Sequence, residues 1–174
     1  AERRRWVEAR DGLGGLDAVL ATLAAALDVD PAATAVDLPA GAEAGFDRAA
    51  LEVAATTLGA ATQKNRREAA AAIRAWLDAE PPARAALLPR YRAAIATFDE
   101  KAEPPHWRPN GKLVTETLRR EAPEAAAAIE AEVARLERLA ARERAQRTYR
   151  RTAALLRTAD RVLDGTGGAL EKGA

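Results

Sequence analysis

Seven arginines, Arg135, Arg138, Arg142, Arg144, Arg147, Arg150 and Arg151, crowd a stretch that holds only two acids, Glu137 and Glu143. The local balance is +5, in a chain whose 27 basic and 26 acidic residues leave a net charge of +1. Guanidinium groups gathered like this can meet a phosphate backbone without reading bases, because the attraction is to the charge and not to the sequence. At 100° per residue, Arg135, Arg138 and Arg142 share one helix face. Arg144, Arg147 and Arg151 share roughly the opposite one, so the arginines form a band and not a stripe. The same residues also read as the solvated face of a long helix, with Glu–Arg pairs that contribute little.

A second candidate is the segment from Asp99 to Lys112, where Trp107 stands beside Arg108 and Lys112. An exposed Trp among cations could stack on a base. The alternative is a Trp that folds back over the domain's own core, where its large apolar surface is best used. His106 in the same segment is the only histidine, and cysteine is absent. Zinc sites and di-iron bundles need several such ligands, so neither set can be assembled, and no metal or cofactor is expected. The carboxylates share their helix faces with arginines, which favours solvated faces over acid–base catalysis. Gly165-Thr166-Gly167-Gly168 lacks the Gly-Lys-Ser/Thr ending of a phosphate-binding loop and follows a helix, so it reads as a helix stop.

The elements that must carry these residues are helical. Hydrophobic residues make up 48% of the 174-residue chain, mostly as alanine, and aromatics only 4%. Alanine favours helices and adds little core volume, so thin cores between close helices are expected. Leu16, Val19, Leu20, Leu23 and Leu27 recur at helical spacing, set apart from the charged start by Gly14 and Gly15. Residues 28–45 read as a long connection. Asp47 can cap a helix with Leu51, Ala54, Ala55 and Leu58 on its face, stopped at Gly59. Asn65 and Glu68 have the spacing of a capping box for a helix bearing Ala69, Ile73, Trp76 and Leu77. Pro81 and Pro82 open the next helix, and Pro89 inside it predicts a kink or a split.

The prolines and glycine of residues 99–112 predict no regular structure there. Thr115 can cap a short helix, and Pro123 opens a last helix with no internal Gly or Pro as far as Asp164. Ile129, Val133, Leu136 and Ala140 lie on one face of that helix. Tyr149, Leu156 and Leu163 lie nearly opposite, so the apolar stripe changes face around Arg142–Arg147. Two halves packing on different neighbours explain this better than a break. The expected architecture is all-α: one helical domain over residues 1–174, an irregular bundle of about five to six helices with one long C-terminal helix. No apolar run approaches the ~20 residues of a membrane span, and no signal peptide is visible, so a cytoplasmic location is expected. The lack of any methionine suggests an excised or trimmed chain.

The order of several features resembles the AddA family. Ala75-Trp76-Leu77, Arg84, Tyr91 and Phe98 carry the resemblance, as do Leu113-Val114-Thr115-Glu116-Thr117-Leu118-Arg119 with Pro123-Glu124, and Arg151-Thr152-Ala153-Ala154-Leu155-Leu156. It is clearest over residues 67–163. Glu116 stands where the family pattern has lysine, and the Pro-Pro-His-Trp-Arg-Pro loop is longer than the family's turn. AddA proteins are superfamily 1 helicase–nuclease subunits, related to UvrD and RecB, that process double-strand DNA breaks. The resemblance is to their helical accessory insertion, the 1B domain. It implies a parent protein that uses ATP and Mg to unwind DNA, works with an AddB-like partner subunit, and carries its motor and nuclease motifs outside these residues.

The resemblance therefore implies a non-catalytic domain that braces DNA beside a motor. Its candidate contacts are the seven arginines with Trp107, Arg108 and Lys112. A helical protein–protein or oligomerisation module is the alternative, suggested by the Tyr149, Leu156 and Leu163 side, which needs a partner. An insertion must return to the surface it leaves, so residues near Trp6 and Leu163 are expected to lie close together.

Overall fold

The computed structural model describes residues 2–32 and 45–165. Its helices are α1 (Glu2–Gly12), α2 (Leu16–Ala26), α3 (Arg48–Gly59), α4 (Lys64–Asp78), α5 (Pro81–Ile95), α6 (Glu116–Glu121) and α7 (Pro123–Gly165). A two-stranded sheet, β1 (Ala96–Asp99) and β2 (His106–Pro109), lies between α5 and α6. The all-α expectation holds, with a long last helix. Most of the expected connection at 28–45 and the glycines at 167 and 168 lie outside the described residues.

The chain, expected as one domain, packs as two compact units: Asp37–Ala141, and Ala1–Val36 together with Arg142–Ala174. The reason is the face change in α7. Ile129, Val133, Leu136 and Ala140 are buried along its first part, and Gln146, Tyr149 and Ala153 along its second. Each part contributes its stripe to a separate core. The helix does not break.

In the larger unit, α3 packs on α4 and α4 on α5. Leu51, Leu58, Ile73, Trp76, Tyr91, Ile95, Leu113, Ile129 and Val133 fill the core. Ala54, Ala55, Ala69 and Ala70 are buried between them, which lets the helices approach closely. Asp47 caps α3, its carboxylate accepting from Ala50 N at 3.0 Å. The last carbonyls of a helix have no partner within it. At the end of α4 they are met from its neighbours: Arg84 Nε donates to Trp76 O at 3.1 Å, and Arg48 donates to Leu77 O.

Three local expectations change. The capping box does not form: α4 begins at Lys64 after Gln63, which makes no side-chain cap. Asn65 instead donates from Nδ2 to Lys112 O at 2.7 Å, and Glu68 pairs with Lys64. Long-range docking takes the side chain that local spacing assigns to the cap. Pro89 sits inside α5 without splitting it. The segment expected to be irregular holds a hairpin, with Phe98 opposite Trp107 and Asp99 opposite His106. Prolines are tolerated because Pro104 and Pro105 fall in the connection and Pro109 ends its strand. Trp107 N donates to Glu137 Oε2 on α7 at 2.8 Å. Thr115 caps α6 as expected, accepting from Leu118 N at 3.2 Å.

The smaller unit joins α1, α2 and the second part of α7. Leu20, Ala24, Tyr149 and Ala153 form its core, with Leu16, Leu23, Leu27, Val29 and Leu156 packed against it. The Tyr149 side of α7 thus finds its partner in α2. Gln146, 4% exposed, donates from Nε2 to Asp30 O at 3.0 Å, so the buried amide is not left unpaired. α1, which the sequence reading leaves as a charged start, closes with two crossed bonds, Gly15 N to Arg10 O at 2.9 Å and Gly14 N to Asp11 O at 3.1 Å. This is the Schellman ending, which needs a left-handed residue; Gly14 supplies it with φ 88°.

Candidate functional site

The candidate residues separate between the two units. Trp107, Arg108, Lys112, Arg135 and Arg138 belong to the larger one; Arg142, Arg144, Arg147, Arg150 and Arg151 belong to the smaller.

Arg135 is engaged in the larger core. It grips Glu132 with both ends of its fork, Nε to Oε2 and Nη2 to Oε1, each at 2.7 Å. The two side chains are 11% and 3% exposed. Tyr91 Oη also donates to Glu132 Oε1, at 3.0 Å. Burial, reinforced by the charge of Glu132, pushes the Tyr91 hydroxyl far above the usual phenol range, so it stays a donor. Trp76 stacks on Tyr91 with ring centroids 4.7 Å apart. Arg135 therefore leaves the expected phosphate-contacting set: a guanidinium that satisfies a buried carboxylate cannot be withdrawn without stranding a charge. Arg138, exposed, lines a cavity of about 210 Å³ with Asp47, Glu132 and Arg135, a lining whose charges are matched.

Trp107 takes the covering role. It is half-buried against the larger core, with the Arg92 guanidinium 4.3 Å above its ring and Phe98 at 5.1 Å. Arg108 pairs with Asp99 across the hairpin at 3.0 Å. Lys112 has an exposed side chain, while its carbonyl accepts from Asn65. His106 Nδ1 lies 3.0 Å from Pro104 O. Among the described residues, no three His, Cys, Asp or Glu side chains gather as metal ligands.

The smaller unit holds the charge imbalance. Residues 142–165, the second part of α7, carry seven arginines, the five candidates with Arg157 and Arg161, against Glu143, Asp160 and Asp164, a balance of 7 − 3 = +4. All seven arginines are exposed. Arg144, Arg147 and Arg151 project away from the Tyr149 and Ala153 face, and Arg150, Arg157 and Arg161 form a second row beside them. Glu143 and Asp160 are engaged. Glu143 accepts from Arg147 at 2.6 Å, one turn along the helix. Asp160 Oδ1 accepts from Arg10 at 2.8 Å and from Trp6 Nε1 at 3.2 Å. The hydrogen bond from Arg10, with that from Trp6, holds the Asp160 carboxyl below the usual carboxylate range.

Sequence reasoning missed Arg157, Arg161 and Asp160. The two arginines extend the same helix beyond Arg151, the last residue of the cluster. The role of Asp160 had no local signal, because its partners lie some 150 residues away. No helix among the described residues is long and apolar enough to cross a membrane. Compared with protein-family models, with characterised proteins and with solved structures, the chain matches none.

Proposed function

We propose that this chain is a non-catalytic helical domain that contacts the phosphate backbone of DNA without reading its sequence. The observation that carries the reading is the second part of α7: seven exposed arginines on one continuous helix against three acids, two of which, Glu143 and Asp160, are engaged by arginines. A surface of that kind gains affinity by releasing counterions, and loses it steeply with salt.

The setting we propose is the 1B-type accessory domain of an AddA-like helicase–nuclease acting in double-strand break repair in the cytoplasm. ATP, Mg, motor, nuclease and an AddB-like subunit would belong to that parent assembly, and the domain alone would hydrolyse nothing. The bond from Trp6 to Asp160 supports an insertion, since it joins a residue near the start of the chain to one a helical turn from Leu163. The protein-binding alternative loses its main support, because α2 covers the Tyr149 side of α7.

Fluorescence anisotropy of a labelled duplex, titrated with the purified chain at low and moderate salt, tests the reading. Binding that weakens steeply as salt rises is expected. No binding at low salt would refute direct contact.

A further inference from the structure

Asp160 interrupts a basic helix. Arg157 and Arg161 stand on either side of it, and its carboxylate faces α1, where Trp6 and Arg10 both donate to Oδ1. The Arg10 and Asp160 side chains are 17% and 19% exposed, so this contact is largely shielded from water. α1 contributes little buried apolar surface to this contact. Of its residues only Trp6, Val7 and Arg10 are even half-buried, and the helix has no fully buried residue. A helix this polar is placed by specific bonds and not by burial.

What α1 carries is charge. Arg3, Arg4 and Arg5 open it. Arg4 pairs with Glu8 at 2.7 Å. Arg3 lies one turn before Trp6 on the face that also bears Arg10, the face turned toward Asp160. The clasp on Asp160 thus fixes the Arg3-bearing face of α1 against the helix that also holds Arg157 and Arg161.

We propose that α1 forms part of the phosphate-contacting surface, and that Asp160 is a positioning residue that sets Arg3 alongside Arg157 and Arg161 on the backbone of duplex DNA. The inference rests on the phosphate-binding reading above. It runs against simple charge counting. Removing an acid from a basic surface should strengthen binding to a polyanion. If Asp160 positions α1, removing it weakens binding.

The test uses the whole chain and a labelled duplex, followed by anisotropy over a salt series, with circular dichroism to check helix content. Asp160→Ala is expected to lower affinity severalfold in spite of its more positive charge. Trp6→Phe, which keeps an apolar ring and loses only the N–H, should shift affinity in the same direction. Arg3→Ala changes an exposed side chain and should reduce the slope of log affinity against log salt by about 0.9, the share of one phosphate contact. In the Asp160→Ala background, Arg3→Ala should add nothing. Asp160→Ala binding as tightly as the parent chain, or Arg3→Ala leaving the slope unchanged, would overturn the role of α1 and leave phosphate binding intact. A parent chain that does not bind at low salt overturns both.

Discussion

Trp6 and Asp160, 154 positions apart, are joined by a hydrogen bond of 3.2 Å from the indole nitrogen to a carboxylate oxygen that Arg10 shares. The bond depends on Asp160 being ionised. Its folded pKa is depressed, so its stabilisation is fully present above the unfolded value of about 3.9 and is lost as pH falls through the lower folded value. The indole N–H resonance of Trp6, followed by NMR through acid titration, should move only below pH ~3.9. A midpoint at or above that value would show that the carboxylate is not held by Arg10 and Trp6.

The Tyr91–Glu132–Arg135 cluster makes a stability prediction. Glu132→Ala removes the carboxylate that Arg135 grips with both ends of its fork and should cost about 3–5 kcal/mol in urea unfolding. Tyr91→Phe removes one hydrogen bond to a charged group and should cost about 1.5–3 kcal/mol. The two should be non-additive in a double-mutant cycle, because both act on the same carboxylate. Additive losses would mean the three groups are not one network.

Arg135 and Arg157 should separate on function. Arg157→Ala is expected to leave stability within about 0.5 kcal/mol and to lower the salt slope of duplex binding by about 0.9. Arg135→Ala should do the reverse, destabilising the larger unit by about 3–5 kcal/mol through the stranded Glu132. A reduced salt slope from Arg135→Ala with stability unchanged would return that residue to the binding surface.

Two helix caps give a smaller, independent check. Asp47→Ala should cost about 1 kcal/mol through the lost bond to Ala50 N. Thr115→Ala removes the acceptor for Leu118 N and also the partner of Arg66 Nη2 at 3.2 Å, so it should cost somewhat more, about 1–2 kcal/mol. Chemical denaturation that ranks them in the opposite order would show that the Arg66 contact contributes nothing.

The sequence exposed what depends on neighbours along the chain. The stripes of α2, α3 and α4, the caps Asp47 and Thr115, and the face change in α7 all follow from helical periodicity and local hydrogen bonding. Other features depend on partners far along the chain, and the sequence hid those. Asn65 has the right spacing for a cap yet is drawn to Lys112. The prolines around His106 argue against strands, yet they occupy only the connection and one strand end. Arg135 looks like any other arginine of the band until Tyr91 and Glu132 close around it. α1 lacks an apolar stripe, and its contact with Asp160, 150 residues on, is what ties it to α7.

The bond from Trp107 N to Glu137 also bears on behaviour in concentrated solution. A two-stranded hairpin has open edges, and an outward N–H in the middle of a strand can template pairing with another chain. Here that donor is occupied by a carboxylate from α7, which adds a negative charge where a foreign strand would dock. Glu137 therefore protects the hairpin against edge-to-edge association, a service to solubility separate from any role in recognition.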